Sequence, residues 1–264
     1  YDGATLNVDG GEVGLGDFSA DYSTDFNMYG GTLDISGGVV NIADELDVNS
    51  TASNTVTISG GSLNIGTYTG TSNSSTSTNR FDMDAGTLNL TGGSLNIKGQ
   101  KNSTSYDCIE LGGSVVVNAT TNNTINIYPG AGSNDEDMYM DLNGAELSNM
   151  VIHNSGSYSV FAKDNFSLVG NLTINTGGKL ESNSNSGDIT LNGGSFINNG
   201  YFDLNSSDMT FTGGNDVTCG AIISDGTGNL NITKTSSSDK VTMTGDIELN
   251  KFYINEGKLL VDGE

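Results

Sequence analysis

The sequence has few of the residues that enzymes and metal centres depend on, and each shortage excludes a class of site. Among 264 residues there are one Pro, no Trp, one His and two Cys. His153 has no Cys or His near it, so the sequence offers no zinc ligand set. The Gly-rich stretches lead into strand-like segments, so they predict neither a phosphate-binding loop nor a dinucleotide site nor a nucleophile elbow.

Apolar residues and basic residues are also scarce. The hydrophobic fraction is 34%, and there is no apolar run of about 18 residues, so no transmembrane helix is predicted. Only 9 basic residues face 32 acidic ones, for a net charge of −23. Such a field repels nucleic acid and anionic membrane surfaces. We therefore expect no nucleic-acid partner and no direct membrane insertion.

What the chain does have is a short alternating pattern interrupted by glycine. The clearest stretch is FDMDAGTLNLTGGSLNIKGQ, Phe81 to Gln100. Apolar and polar residues alternate in it three times, in FDM, LNL and LNI. This is the period of a half-buried strand. Three strands in so short a stretch fit one turn of a coil whose strands pair with the next turn. A coil of this kind needs few apolar residues, because its core is a thin column.

The same unit recurs along the chain, and glycine pairs record its period. Pairs begin at residues 37, 60, 92 and 112, at intervals of 23, 32 and 20 residues. The long interval contains a Ser/Thr/Asn-rich stretch, residues 67–79, which we interpret as a loop insertion. The prediction is an all-β chain folded as a right-handed parallel β-helix, with three short strands and about 20–23 residues per coil. One solenoid is expected over residues 1–264.

Stacking predicts columns of equivalent residues along the inside of the coil. The predicted inward columns are Leu33, Val56, Leu88 and Val115; Val40, Leu63, Leu95 and Ile125; and Phe26, Leu46, Phe81 and Tyr106. Cys108 and Cys219 would lie about five coils, or roughly 24 Å, apart. A disulfide needs Cα atoms within about 7 Å, so two separate buried thiols are expected.

Stacking also aligns outward residues. The third strand of each coil contributes Asn41, Asn64, Asn96 and Asn126. Two interpretations are open: an amide ladder along the axis, or a strip that binds a sugar or a surface. The second strand contributes Asp34, Thr57, Asn89 and Val116. That column lacks the regular Thr pairs expected of an ice-binding face.

Acidic residues form the third outward column, and they are the candidate metal ligands. The predicted column is Asn27, Asp47, Asp82 and Asp107. Like charges on adjacent strands repel unless they are solvated or a cation lies between them. Hard oxygen ligands suit Ca²⁺. A solvated acidic face and a Ca²⁺ site are both open. The candidate Ca²⁺ ligands are Asp82, Asp84, Asp107, Asp135, Glu136 and Asp137.

Catalysis by paired carboxylates is the remaining enzymatic possibility. Asp82 and Asp84 would project from the same side of one strand, roughly 7 Å apart. Glycosidic chemistry needs two carboxylates beside a substrate cleft. The chain has a single Arg, Arg80, and no Trp platform for a sugar. We therefore predict no catalytic residues and no enzyme.

The last third of the chain resembles a known group of proteins. NLTINTGGKL (Asn171 to Leu180), ITLNGGSFINNGYFDLN (Ile189 to Asn205) and KVTMTGDIELNKFYINEGKLLVDG (Lys240 to Gly263) have the cadence of repeats in large secreted Bacteroidota surface proteins. Members of that group are exported by the type IX secretion system and act as adhesins or gliding-associated fibres. The resemblance implies a secreted or cell-surface location and partners such as extracellular glycans, surfaces or cell-envelope proteins.

Together these observations predict a non-catalytic extracellular segment, a rigid stalk or adhesin-like β-helix. The chain begins without Met and stops just after a strand-like run, so we expect a piece of a longer secreted protein. The alternative is a carbohydrate-active β-helix enzyme or a Ca²⁺-dependent glycan-binding module. No cofactor other than Ca²⁺ is suggested.

Overall fold

The architecture is a stack of short parallel strands. A computed structural model describes residues 3–16, 25–49, 53–67, 79–99, 107–129, 137–154, 156–182, 187–224 and 226–261. The first strands are β1 (Thr5–Leu15), β2 (Phe26–Met28), β3 (Gly31–Ile42), β4 (Leu46–Val48), β5 (Asn54–Ile58), β6 (Ser62–Ile65), β7 (Phe81–Leu90), β8 (Gly93–Lys98), β9 (Asp107–Ala119) and β10 (Asn123–Tyr128). They are followed by β11 (Met138–Asp141), β12 (Glu146–Leu147), β13 (Asn149–Ile152), β14 (Val160–Ala162), β15 (Phe166–Leu168), β16 (Leu172–Ile174), β17 (Lys179–Ser182) and β18 (Ile189–Asn192). The last are β19 (Phe196–Asn198), β20 (Tyr201–Asp203), β21 (Met209–Thr212), β22 (Val217–Cys219), β23 (Asn229–Thr233), β24 (Lys240–Met243), β25 (Lys251–Glu256) and β26 (Lys258–Val261).

The strands pair in parallel with the equivalent strands one turn away, which confirms the predicted parallel β-helix. Three walls result. The third wall is unbroken and passes once per turn through β1, β3, β6, β8, β10, β13, β16, β19, β22, β24 and β26. The first wall runs from β2 through β4, β7, β9, β11, β14 and β17 to β20. No helix in the described ranges is long and apolar enough to cross a bilayer.

The second wall is built in two pieces. Its first piece consists of the early half of β1 and β3, then β5 and the later halves of β7 and β9. Its second piece is a separate six-stranded sheet of β12, β15, β18, β21, β23 and β25. At the junction Val116 is 58% exposed. A cavity of about 220 Å³ opens there, lined by Val115, Val117, Leu142 and Glu146.

The core is the thin column expected of a solenoid. In the turn that contains β7 and β8, the inward residues Phe81, Met83, Leu90 and Ile97 have no exposed surface. Their outward neighbours are only partly buried. Cys108 and Cys219 are both free and fully buried, as predicted. Alternation of apolar and polar residues thus places each side chain inside or outside the coil.

Two of the predicted inward columns are wrong at their last member. The third-wall column Val40, Leu63, Leu95 and Ile125 is confirmed. In the second wall, however, Leu88 pairs with Val117 and not with Val115. In the first wall Phe81 pairs with Ile109, whereas Tyr106 lies outside the described residues.

Glycine pairs at different corners of the coil explain the error in the second wall. Gly37, Gly60 and Gly92 each follow a second-wall strand. Gly112 instead lies over Asp84, between the first-wall and second-wall parts of β9, where the register shifts by one residue. Treating all the pairs as one corner therefore misplaces the residues that follow Gly112.

The residues that bound the predicted loop insertion, 67–79, are bonded to neighbouring turns. Thr67 donates from its backbone N and from its Oγ1 to the carbonyl of Ile42, one turn earlier. Asn79 donates from Nδ2 to the carbonyl of Lys98, at 2.8 Å. Residues 68–78 lie outside the described residues. The described residues on either side of this gap are thus bonded to the stack.

One glycine column is required by the stacking itself. Gly38, Gly61 and Gly93 lie one above another with φ of 69°, 64° and 67°. A Cβ on Gly61 would come within 3.0 Å of the backbone of Gly37 and Gly38 in the preceding turn. Positive φ and this backbone approach both exclude larger residues.

We expect Gly61→Ala to destabilise the protein far more than Gly144→Ala. Gly144 has a similar φ of 75°, but nothing lies within 4 Å of its Cβ position. Gly144→Ala therefore isolates the cost of positive φ, about 1 kcal/mol. Gly61→Ala adds a backbone clash and should cost roughly 3 kcal/mol or more in the free energy of unfolding. Chemical denaturation measures both, and equal losses would contradict the role of this column.

Candidate functional site

The acidic face is the outward column of the first wall. In register it consists of Asn27, Asp47, Asp82, Glu110 and Asp141. The prediction that Asp107 follows Asp82 is wrong, because Glu110 occupies that position. Apolar and polar residues alternate in two ways in this segment of the sequence: either Tyr106 and Cys108 point inward around Asp107, or Ile109 and Leu111 point inward around Glu110. The structure buries Ile109 and Leu111, each 2% exposed, and this choice sets Glu110 outward.

Arg80 holds this column together, a role that the sequence reasoning missed. Its guanidinium contacts Glu45 at 2.8 Å, Asp82 at 2.6 Å and Glu110 at 2.8 Å. The three carboxylates come from three successive turns of the coil. Its side chain is 18% exposed. The signal available in the sequence was position alone: the only Arg directly precedes an acidic strand.

One cation does not neutralise the whole column. Burial raises the pKa of Asp82 to about 7, although Arg80 opposes the shift, and the charges of Glu110, Asp84 and Asp47 raise it further. The Oδ1 atom of Asp82 is buried without a hydrogen-bond partner. Burial and the charge of Glu45 likewise raise the pKa of Asp47. The face therefore holds more negative charge than its surroundings stabilise.

A second group of charges lies further along the same wall. Asp107 is 6% exposed, and its Oδ2 contacts Nζ of Lys163 at 2.8 Å. Burial raises the pKa of Asp141 to about 6, and a hydrogen bond with Asp164 adds to the shift. Lys163 thus pairs with an acid two turns earlier along the first wall.

The structure disperses the candidate Ca²⁺ ligands that it describes. Asp82 is paired with Arg80, Asp84 is exposed, and Asp107 is buried against Lys163. Asp137 accepts a hydrogen bond from the backbone N of Ser159 at 2.8 Å. Asp135 and Glu136 lie outside the described residues. Within the described part of the chain no three acidic, His or Cys side chains are placed to hold a metal ion. Calcium binding stays a prediction.

The asparagine column forms the amide ladder that was one of its two interpretations. Asn64 donates from Nδ2 to Oδ1 of Asn41 at 2.7 Å, and Asn96 donates to Asn64 at 2.7 Å. Asn126 continues the series to Asn96 at 2.8 Å. At the start, Asn41 donates to the carboxylate of Glu12 at 2.6 Å. Every donor points toward the preceding turn, so each amide is bonded on both sides.

His153 extends the ladder beyond the last of these asparagines. Its Nε2 lies 3.0 Å from Oδ1 of Asn126, and its Nδ1 lies 3.3 Å from Nδ2 of Asn175. Since Nδ2 of Asn126 already donates, these contacts fit a neutral ring that donates from Nε2 and accepts at Nδ1. Burial lowers the pKa of His153, which favours that neutral form. The ring also stacks on Tyr128 with centroids 4.0 Å apart.

The outward column of the second wall forms a shorter ladder. Its members are Asp34, Thr57, Asn89 and Asn118, so the predicted Val116 is wrong. Asn118 donates to Asn89 at 2.8 Å, and Asn89 donates to Oγ1 of Thr57 at 3.0 Å. The register shift at Gly112 moves Val116 beside Thr87 instead. Here too, outward polar side chains are hydrogen-bonded to one another along the axis of the coil.

Comparison with known proteins adds no relative. No protein-family model, no curated protein and no solved structure matches this chain.

The raised pKa of Asp82 makes stability depend on pH. The folded state holds this proton more tightly than the unfolded chain does. The stabilising contribution is therefore complete below the ordinary pKa of about 3.9 and is lost as pH rises through about 7. We expect Asp82→Asn to raise the melting temperature at pH 8 by about 2–4 °C and to give no gain at pH 4. Circular dichroism melts at both pH values measure this. Asp246→Asn, at an exposed acid, is the matched control, and equal gains for both variants would contradict the prediction.

The amide ladder predicts a penalty for removing a donor in its middle. Asn96→Asp replaces the Nδ2 that bonds Asn64 by a carboxylate oxygen. We expect a loss of about 1–3 kcal/mol in the free energy of unfolding at pH 7, recovered in part at pH 3, where the acid is protonated and can donate. Asn118→Asp removes a donor at the exposed end of the other ladder and should cost less. Similar small losses, unaffected by pH, would show that the ladder contributes little.

Proposed function

We propose that this chain is a non-catalytic, rigid segment of an extracellular surface protein, a stalk or adhesin-like β-helix. The observation that carries the proposal is the third wall, which pairs in register from β1 to β26 and bears the asparagine ladder on its outer face. Each turn is bonded to the next through backbone and side chain. Such a stack resists bending without disulfides. The proposed location, secreted or at the cell surface by way of type IX export, follows from the resemblance of residues 171–263 to secreted repeats.

The polar surface supports a spacer better than it supports a catalyst. Arg80 is ion-paired with carboxylates from three turns, and Lys163 is ion-paired with Asp107. The cavity at the second-wall junction is lined by a single carboxylate, that of Glu146. Glycosidic chemistry needs two carboxylates flanking a cleft. In this proposal the stalk holds a binding part away from the cell, and that part contacts extracellular glycans, surfaces or cell-envelope proteins.

A rigid spacer predicts that length follows the number of turns. Leu172 pairs with Phe196, so deleting residues 172–195 removes one turn and sets Phe196 where Leu172 was. We expect the variant to fold and its longest dimension in small-angle X-ray scattering to shorten by about 4.8 Å, one strand spacing. Deleting residues 172–183 removes half a turn and should abolish folding. A full-turn deletion that leaves the longest dimension unchanged, or a bent wild-type profile, would contradict the spacer.

One observation favours a second candidate, a carbohydrate-active or Ca²⁺-dependent glycan-binding module. Asp82 and Asp141 have pKa values raised to about 7 and about 6, as acids in glycosidase sites have. A glycan array with and without EDTA tests this candidate. A hit that EDTA or Asp82→Asn abolishes would support it. A blank array would leave the spacer as the function.

A further inference from the structure

The second wall contains an open strand edge in the middle of the stack. Residues 114–119 of β9 pair with β7 in the preceding turn, whereas β11 of the following turn pairs only with residues 107–110 of β9. Among the strands described, β12 pairs only with β15. The later edge of residues 114–119, which we term the β9 ledge, therefore has no strand partner within the described part of the chain.

A change in the length of the turn creates the β9 ledge. Between the paired positions that bound the second wall, the arc takes 16 residues in the turn of β9 (109–125) and 10 in the turn of β12 (140–150). Ser148 of the shorter turn is fully buried, and its Oγ donates to the carbonyl of Leu90, two turns earlier, at 3.2 Å. The shorter arc therefore draws inward and does not cover the ledge.

Apolar side chains are uncovered along the β9 ledge. In the three preceding turns the inward residues of this column, Leu33, Val56 and Leu88, are at most 1% exposed. Val117 pairs with Leu88 in the same column, yet Val117 and its neighbour Val115 are only partly buried. Both line the cavity of about 220 Å³ at the junction. The column thus continues into a space that no described side chain fills.

The backbone of the ledge presents hydrogen-bonding groups to the same space. Thr120 donates from its backbone N to the carbonyl of Leu90 in the preceding turn. Successive residues of a strand direct their N–H and C=O groups to opposite edges. Val115, Val117 and Ala119 therefore direct theirs to the open edge. A row of such groups at strand spacing is a template for one further strand.

The space suits a single extended chain. At one end of the ledge, Nδ2 of Asn143 would lie 3.3 Å from a Cβ on Gly113, and Ser148 closes the other end through its bond to Leu90. The shorter turns continue the stack beyond the ledge, so a whole sheet that approached this edge would collide with them. A strand of the length of the ledge, six residues, meets only the cavity.

The exposed charges beside the ledge are acidic. Glu146 is exposed and lines the cavity, and no Lys or Arg is among the described residues that line it. Asp84 is also exposed, and its backbone lies against Gly112, directly before the ledge. Opposite charges on neighbouring strands attract. The outward side chains of a strand bound here would therefore be basic.

We propose that the β9 ledge binds an extended segment of another polypeptide, which adds one strand to the second wall. Apolar residues at alternate positions of that segment enter the cavity beside Val115 and Val117. Lys or Arg residues between them face Glu146 and Asp84. Main-chain bonds hold such a strand, and the pockets for alternate side chains select its sequence. This inference goes beyond the proposed function and does not depend on it.

Peptide binding tests the site. We expect the fluorescently labelled hexapeptide KVKVKV to bind the 264-residue chain with a Kd below about 1 mM in an anisotropy titration. The peptide KSKSKS keeps the charge and loses the apolar side chains, so it should bind about tenfold more weakly. Absence of binding by KVKVKV, or equal binding by the two peptides, would overturn the proposal.

Charge reversal separates the ledge from general attraction to an acidic protein. Glu146→Lys should weaken binding of KVKVKV about tenfold and should strengthen binding of the peptide EVEVEV. Glu248→Lys, at an exposed acid in a later turn, makes the same change in net charge and should bind KVKVKV like the wild type. Equal losses in the two variants would show that KVKVKV binds the acidic surface at large, and the proposal would fail.

N-methylation of the peptide tests the strand pairing without altering the protein. Methyl groups on the three Lys nitrogens of KVKVKV block one edge of the peptide, and methyl groups on the three Val nitrogens block the other. One methylated peptide should lose binding and the other should keep it. Loss in both, or in neither, would contradict the addition of a strand.

Cross-linking tests the location. Val116, which lies on the outer face of the ledge, is 58% exposed, and Val116→Cys should form a mixed disulfide with the peptide KVCVKV under oxidation. Ile197→Cys, at a 39% exposed position of the third wall, is the control and should not link. Equal linking of the two variants would place the peptide elsewhere and overturn the site. The native thiols of Cys108 and Cys219 are fully buried, and far-UV circular dichroism confirms that each variant is folded before it is scored.

Discussion

Parallel stacking in register is the constraint on which the rest of this structure depends. Each turn places its backbone one strand spacing, about 4.8 Å, from the turn before it. Every outward side chain therefore meets the side chain at the equivalent position, and often that neighbour is of the same type. The chemistry of the surface follows from whether a residue type can satisfy a copy of itself at this distance.

Asparagine and aspartate differ in whether they can hydrogen-bond to a copy of themselves. A primary amide carries both a donor and an acceptor, so Asn41, Asn64, Asn96 and Asn126 bond one another along the column. A carboxylate only accepts, so Glu45, Asp82 and Glu110 need a cation, and Arg80 contacts all three across successive turns. Burial, together with the acidic charge that Arg80 does not compensate, raises the pKa of Asp82. The same strand spacing therefore lets the asparagine face satisfy its hydrogen bonds within the column, whereas the acidic face depends on Arg80 and Lys163.

The sequence predicted the structure correctly where the glycine pairs kept one spacing and where the apolar and polar residues could alternate in only one way. The third-wall column and its amides could be predicted because Gly37, Gly60 and Gly92 occupy one corner. The errors all follow from the turn that contains Gly112, which lies at another corner, and from the double alternation between Tyr106 and Leu111. The Arg80 contacts lay beyond prediction, because they depend on distances across three turns that composition and spacing do not encode.

A translational stack also determines where recognition is least constrained. Inside the stack each turn has a neighbour on both sides, so backbone groups, apolar columns and most outward polar groups are already satisfied by the protein itself. A ligand at the lateral faces must therefore compete with bonds that already exist. Binding there requires the least rearrangement where an outward group lacks a partner within the stack, as Oδ1 of Asp82 does on the acidic face.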